Sequence, residues 1–298
     1  MESQIILGFA FALISSVFMG LYVAPKKMAK QDSLLFTLVM VFGFFLGSLL
    51  MFLTSGAWVG FSSKIGTDYF MLSLLMGPIW AISLYAFIIS VGRMGLSKAN
   101  PWKNFSPLFG IILGFMILKE HLTVNPFYVL LGGILIVISA YILTKTNDGT
   151  NGQNNTDYKG IFLAILAGFL FAFVTILNKM AIPIGVIEQQ LVWSASSLLS
   201  LFLLTVFLRK NIKTVSKKDN LLAFGAGFIY LGAAYFMLSA YNYLEASVAY
   251  AVVQANIIWA VGVGVLFFHE IDVKKYKWRI ITGVLVGVLG VIFLALSK

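Results

Sequence analysis

Ten apolar stretches follow one another along the chain, at roughly 4–25, 34–53, 69–91, 97–118, 124–143, 160–181, 189–208, 221–241, 246–268 and 278–296. Each is long enough to cross a hydrocarbon core of about 30 Å as a helix, which takes about 20 residues. Helices satisfy their backbone hydrogen bonds within the segment, so this pattern admits a helical membrane bundle and little else. Hydrophobic residues make up 60% of the 298 and charged residues 11%. A soluble chain of this size could not hide so much apolar surface. The expected fold is an all-α integral membrane protein of ten transmembrane helices.

The longest polar piece, residues 144–159 ("TKTNDGTNGQNNTDYK"), reads as a flexible linker. It divides the chain into a first half, 1–143, and a second, 160–298. The opening "MESQIILGF" carries no basic n-region, so the first stretch reads as a spanning helix and not a cleaved signal. Cysteine is absent, which excludes disulfides and thiol chemistry. The net charge of +10 reads as membrane topology and not as a nucleic-acid footprint. Segments after odd-numbered stretches hold 17 of the 21 lysines and arginines and the other side holds 4. The positive-inside rule then puts the linker in the cytoplasm and both termini outside, in a cell membrane of bacterial plasma-membrane type.

The halves resemble each other. "GLSKAN…GFMILKE" (95–120) aligns with "EASVAY…GVLFFHE" (245–270) at an offset of 150, pairing Ser97 with Ser247, Gly114 with Gly264 and Glu120 with Glu270. Nearer the N-terminus the offset is 152, with "KMA" at 27–29 and again at 179–181. Five helices per repeat is odd, so the second half enters the membrane from the opposite side. Such an inverted-topology repeat suits alternating access around a midplane site, with the halves as the moving parts.

The fourth stretch carries its polar residues on one face. Asn100, Lys103, Asn104 and Pro107 fall at i, i+3, i+4 and i+7. In the ninth stretch, Tyr250 matches Asn100 and Gln254 matches Asn104, with Asn256 and Trp259 just beyond. Amides can simply bond neighbouring helices, and Lys103 can snorkel to the headgroups. The alternative is a water-filled path in which Lys103 meets substrate hydroxyls or an anionic group. Pro101 and Pro107 favour that path, since each frees a carbonyl that needs a partner. Lys26 in "APKK", Asn178 in "LNK", and mid-span Trp80 and Tyr235 fit the same picture. Flat rings and amides together suit a sugar, stacking on C–H faces and bonding hydroxyls.

All eleven carboxylates fall at or near span ends, which argues against a deep acidic proton relay. Glu120 and Glu270 each adjoin a histidine, His121 and His269. They are candidate coupling groups for a proton or cation, with helix-end solvation as the alternative. No metal-ligand spacing, nucleotide-binding loop or catalytic constellation appears, so neither cofactor nor enzyme is expected. Glycine pairs Gly110/Gly114 and Gly283/Gly287 permit close helix packing, within the bundle or in a homodimer.

The duplicated chain, with glutamate closing the fourth and ninth helices, resembles the drug/metabolite transporter superfamily (EamA-like). "GLYVAPKK" at 20–27, "GPIWAISLYAFIISVGRMGLSKANP" at 77–101 and "GIILGFMILKEH" at 110–121 are similar to its glucose/ribose porter branch of sugar uptake proteins. The resemblance implies a central cavity lined by helices of both halves. Carried onto this sequence, it makes Lys26, Trp80, Asn100, Lys103, Asn104, Asn178, Tyr235, Gln254 and Asn256 the wall candidates. It also implies a transporter, secondary or facilitative, most simply for uptake of a sugar or similar polyol. Export of amino acids, drugs or nucleotide-linked metabolites is the competing transport reading, and a non-transporting sensor or scaffold the reading from another class. The absence of a deep acid favours a neutral, hydroxyl-rich solute over an organic cation.

Overall fold

The structure, a computed structural model, describes residues 2–117, 125–144, 157–209, 216–244 and 246–296. These form twelve α-helices and no strand. They are α1 (Glu2–Leu21), α2 (Ser33–Thr54), α3 (Asp68–Met94), α4 (Leu96–Lys103), α5 (Ser106–Ile117), α6 (Pro126–Thr144), α7 (Tyr158–Ala181), α8 (Val186–Phe207), α9 (Lys217–Tyr241), α10 (Ala246–Val253), α11 (Asn256–Leu266) and α12 (Val273–Ala295). Seven of the described helices are long and apolar enough to cross a membrane. With helix after helix of this kind, the chain is a multi-pass membrane protein.

Helix starts are set by local chemistry. Asp32 accepts from the Leu34 N–H at 2.9 Å and Asp157 from the Gly160 N–H at 2.9 Å, each satisfying a donor that the helix itself cannot. The Arg93 guanidinium reaches the same Asp157 carboxylate at 2.8 Å, tying the end of α3 to the start of α7.

The fourth and ninth apolar stretches are not single helices. Each is broken, at Asn104–Phe105 between α4 and α5 and at Gln254–Ala255 between α10 and α11. Residues 104 and 254 are separated by the repeat offset of 150. At the first break Pro107 has no N–H to return to the Lys103 carbonyl, so the α-helical ladder cannot continue. The second break has no proline. There the Asn256 side chain donates to the Val253 carbonyl at 3.1 Å and takes over a backbone acceptor.

Packing exchanges partners in the same way. α3 packs on α7 and α9 on α1; α2 packs on α9 and α8 on α3; α6 packs on α12. Small residues make these approaches possible: Ala12, Ala167, Ala172, Ala223, Ala226 and Ala233 are fully buried. Lipid offers no hydrophobic force between helices, so close contact and hydrogen bonds hold them together. Ser15 Oγ on α1 donates to the Ala233 carbonyl on α9 at 2.8 Å. Ser83 Oγ on α3 donates to the Ala167 carbonyl on α7 at 2.9 Å. Ser15 and Ala167 stand 152 apart, and Ser83 and Ala233 stand 150 apart. One bond is the other with its halves exchanged.

Candidate functional site

The two breaks face the middle of the bundle and bound a cavity there. Its wall is drawn from both halves: Met19 and Tyr22 at the end of α1, Trp80 on α3, Lys103 on α4, Phe171, Val174, Thr175 and Asn178 on α7, Trp193 on α8, Tyr230 and Met237 on α9, and Tyr250, Val253, Gln254 and Asn256 around the second break. The volume is about 30 Å³, room for one or two waters. That is well below the size of a sugar.

One flank is aromatic. Trp80, Trp193, Tyr230 and Phe44 form a cluster with ring centroids 4.7 Å apart for Trp80–Tyr230, 5.2 Å for Trp80–Trp193 and 5.5 Å for Phe44–Trp80. Edge-on and tilted contacts of this kind hold the rings rigidly. A planar indole wall is the surface on which the C–H face of a pyranose or furanose can stack.

The opposite flank is an amide chain running across the two breaks. Asn100 Nδ2 donates to Asn256 Oδ1 at 2.9 Å, Asn256 Nδ2 donates to Gln254 Oε1 at 3.1 Å, and Asn104 Nδ2 donates to the Gln254 carbonyl at 3.1 Å. Backbone carbonyls set the direction of the chain, because they can only accept. α4 and α11 are thereby joined beside the two breaks. Gly168 on α7 lies against the first break; a Cβ there would sit 2.5 Å from the Lys103 carbonyl.

Lys103 is 4% exposed, and the Phe87 ring lies 5.6 Å from its Nζ. Among the described residues no acceptor hydrogen-bonds that amine and no carboxylate lines the cavity. A lysine at a helix end could have snorkelled outward; this one is folded inward.

Of the sequence-derived wall candidates, Trp80, Lys103, Asn178, Gln254 and Asn256 line the cavity. Asn100 and Asn104 lie directly behind it, holding its amides. Lys26 is elsewhere: its Nζ donates to the Gln31 carbonyl at 2.6 Å and lies 5.5 Å from the Phe36 ring. Tyr235 is half-buried with its ring against Phe236 at 5.5 Å, away from the lining. Tyr22 and Thr175 are lining residues that the sequence reading did not name; Trp193 and Tyr230 it noted near span depth but set aside as aromatics of the interfacial-anchor kind, and Tyr250 it only matched to Asn100. Trp193 is two turns inside α8, which begins at Val186, upstream of the apolar run that locates the span. Tyr250 carried a signal, as the repeat mate of Asn100.

Glu270 lies at a different level. Its carboxylate accepts from the Leu96 N–H and the Ser97 N–H, both at 2.8 Å, and from Ser97 Oγ at 2.6 Å. Lys27 Nζ is 3.2 Å away. The second half therefore caps the N-terminus of α4 in the first, where the helix dipole also favours an anion. Gly95, at φ 86°, and Gly264 leave the space this carboxylate occupies; a Cβ on either would come within 2.8 Å of it. Glu120 lies outside the described residues.

Among relatives, a Streptococcus pyogenes serotype M1 protein named for sugar uptake is 24% identical over 267 residues, covering 88% of this chain and 89% of that one. A Listeria monocytogenes protein of the same description is 22% identical over 288 residues, covering 94% and 95%. A crystal structure at 12% identity shares the fold with a TM-score of 0.68, covering 98% of this chain and 97% of that one. The family model described as sugar transport protein matches residues 40–297. Helical membrane architecture and sequence agree: the chain belongs to the sugar transport protein family.

Proposed function

We propose that the chain is a ten-span carrier of the drug/metabolite transporter type that takes up a sugar or similar polyhydroxylated solute by alternating access. The observation that carries this reading is the cavity itself, walled by both halves at the two helix breaks and rich in buried indoles, amides and hydroxyls. Pairing α4 with α5 and α10 with α11 reduces the twelve segments to ten spans. The exchanged packing partners and the exchanged bonds Ser15–Ala233 and Ser83–Ala167 support two halves in inverted repeat. A cavity this small has to widen to admit a sugar, as a site that opens alternately to each side would do. The sugar-uptake names of the relatives support the solute class.

Uptake of radiolabelled hexoses and pentoses into proteoliposomes tests the reading. Saturable entry that unlabelled sugar competes is expected, reduced at least several-fold by Gln254→Ala or Asn104→Ala. Movement of an amino acid or organic cation with no sugar entry would overturn the solute class.

A further inference from the structure

The polar atoms of the cavity are not balanced between donors and acceptors. The side-chain oxygens of its three amides are already engaged: Asn178 Oδ1 accepts from Gln189 Nε2 at 3.0 Å, Gln254 Oε1 from Asn256 Nδ2 at 3.1 Å, and Asn256 Oδ1 from Asn100 Nδ2 at 2.9 Å. These orientations are anchored by backbone carbonyls, which accept Gln189 Nε2 (Asn178 O, 3.1 Å) and Asn256 Nδ2 (Val253 O, 3.1 Å). On the lining residues donors are left over instead, while behind the wall Asn104 Oδ1 and Gln189 Oε1 also lack partners among the described residues. Asn178 Nδ2 and the Trp193 indole N–H, both on fully buried side chains, have no partner among the described residues. The Trp80 indole N–H sits near the Tyr230 hydroxyl without hydrogen-bond geometry. Lys103 Nζ adds further donors, and a positive charge when protonated, with no acceptor and no carboxylate against it among the described residues.

Unpartnered buried polar groups cost free energy, and an unpartnered ammonium costs most. A wall made of free donors around one amine is matched by a ligand that supplies acceptors and one negative charge. A neutral sugar brings a donor with every hydroxyl and no charge. A carboxylate brings acceptor sites only, and its single charge equals that of one lysine. Resting on the sugar-carrier reading above, we propose that the preferred solute is a monoanionic sugar acid, its carboxylate on Lys103 and Asn178 and its ring against Trp80 and Trp193. The tyrosine hydroxyls and Thr175, able to donate or accept, remain for the sugar's own hydroxyls.

The test compares D-glucuronate, its uncharged amide glucuronamide, D-glucose and D-glucose 6-phosphate as competitors and ligands of the purified full-length protein. Glucuronate is expected to half-saturate at a concentration at least tenfold below glucose and glucuronamide. In Lys103→Gln that advantage falls to within about threefold, while the thermal midpoint without ligand does not drop. Equal affinity for glucose and glucuronate in the wild type, or an advantage that survives Lys103→Gln, overturns the proposal and leaves sugar transport standing. Tighter binding of glucose 6-phosphate than of glucuronate overturns the carboxylate in favour of a phosphate. Binding of none of these compounds removes the sugar-carrier reading and this one together.

Discussion

Glu270 and Ser97 belong to different halves of the chain, yet the carboxylate of one takes both the backbone N–H (2.8 Å) and the hydroxyl (2.6 Å) of the other. The repeated serine, glycine and glutamate of the sequence thus work across the halves: Ser97 of the first half meets Gly264 and Glu270 of the second. In the proposed alternating-access cycle, separating these two segments would break that cap and the Lys27–Glu270 pair at 3.2 Å.

Removing the cap is expected to be costly. Glu270→Ala strands the Leu96 and Ser97 N–H groups and should destabilise the protein by about 1–2 kcal/mol, as loss of an N-cap acceptor typically does. Glu270→Gln keeps an acceptor oxygen and should retain part of the difference. Thermal unfolding in detergent measures both, and an alanine variant as stable as the wild type would remove the capping role.

Lys103 separates stability from function. Because its amine is buried and, among the described residues, without an acceptor, Lys103→Met should leave the thermal midpoint unchanged or raise it, replacing a desolvated amine by an apolar chain of similar length. Solute uptake in the same variant should fall below about a tenth of wild type, and Lys103→Arg should rescue it poorly, since the guanidinium fork is larger and shaped differently. Normal flux in Lys103→Met would take Lys103 out of the path.

Gly168 is expected to tolerate no side chain. A Cβ 2.5 Å from the Lys103 carbonyl meets backbone that cannot swing aside. Gly168→Ala should therefore push α7 off the first break at a cost of about 1–3 kcal/mol. A variant of wild-type stability and uptake would mean that the break moves freely.

The Asp157 carboxylate has a defined pH window. Partial burial works to raise its pKa, but the Gly160 N–H and the Arg93 guanidinium outweigh that and hold it below the ordinary carboxylate range. Its contribution is present above the unfolded-state value, near 4, and is lost as pH falls through the lower folded value. The difference in thermal midpoint between wild type and Asp157→Ala should be constant above about pH 5 and should close in stronger acid. A difference that grows as pH falls would contradict the assignment.

The sidedness expected from the basic residues is open to direct labelling. A cysteine introduced as Asn154→Cys into this cysteine-free chain should resist impermeant thiol reagents in intact cells and react after permeabilisation. Ready labelling of intact cells would invert the orientation.

What the sequence determined by itself was whatever depends on neighbours along the chain. Runs of about 20 apolar residues become helices in a membrane because a helix closes its hydrogen bonds locally. Asn100, Lys103 and Asn104 share a face because the helical period puts them there. Pro101 and Pro107 were each legible as freeing a carbonyl, but the sequence read 97–118 as one helix, and the structure keeps Pro101 inside α4 and breaks the chain just before Pro107. The second break left even less trace, since it is held by Asn256 bonding back to Val253 and across to Asn100, 156 residues away in the chain. Only the tertiary structure decided that Lys26 is spent on the Gln31 carbonyl while Lys103 meets no acceptor among the described residues, and that Trp193 closes the aromatic wall. Both lysines look alike in sequence, as cations near helix ends. Their difference arises from which helices pack against them, and in a bilayer that packing is decided by close-fitting small residues and buried hydrogen bonds between distant segments rather than by hydrophobicity, which every helix here shares.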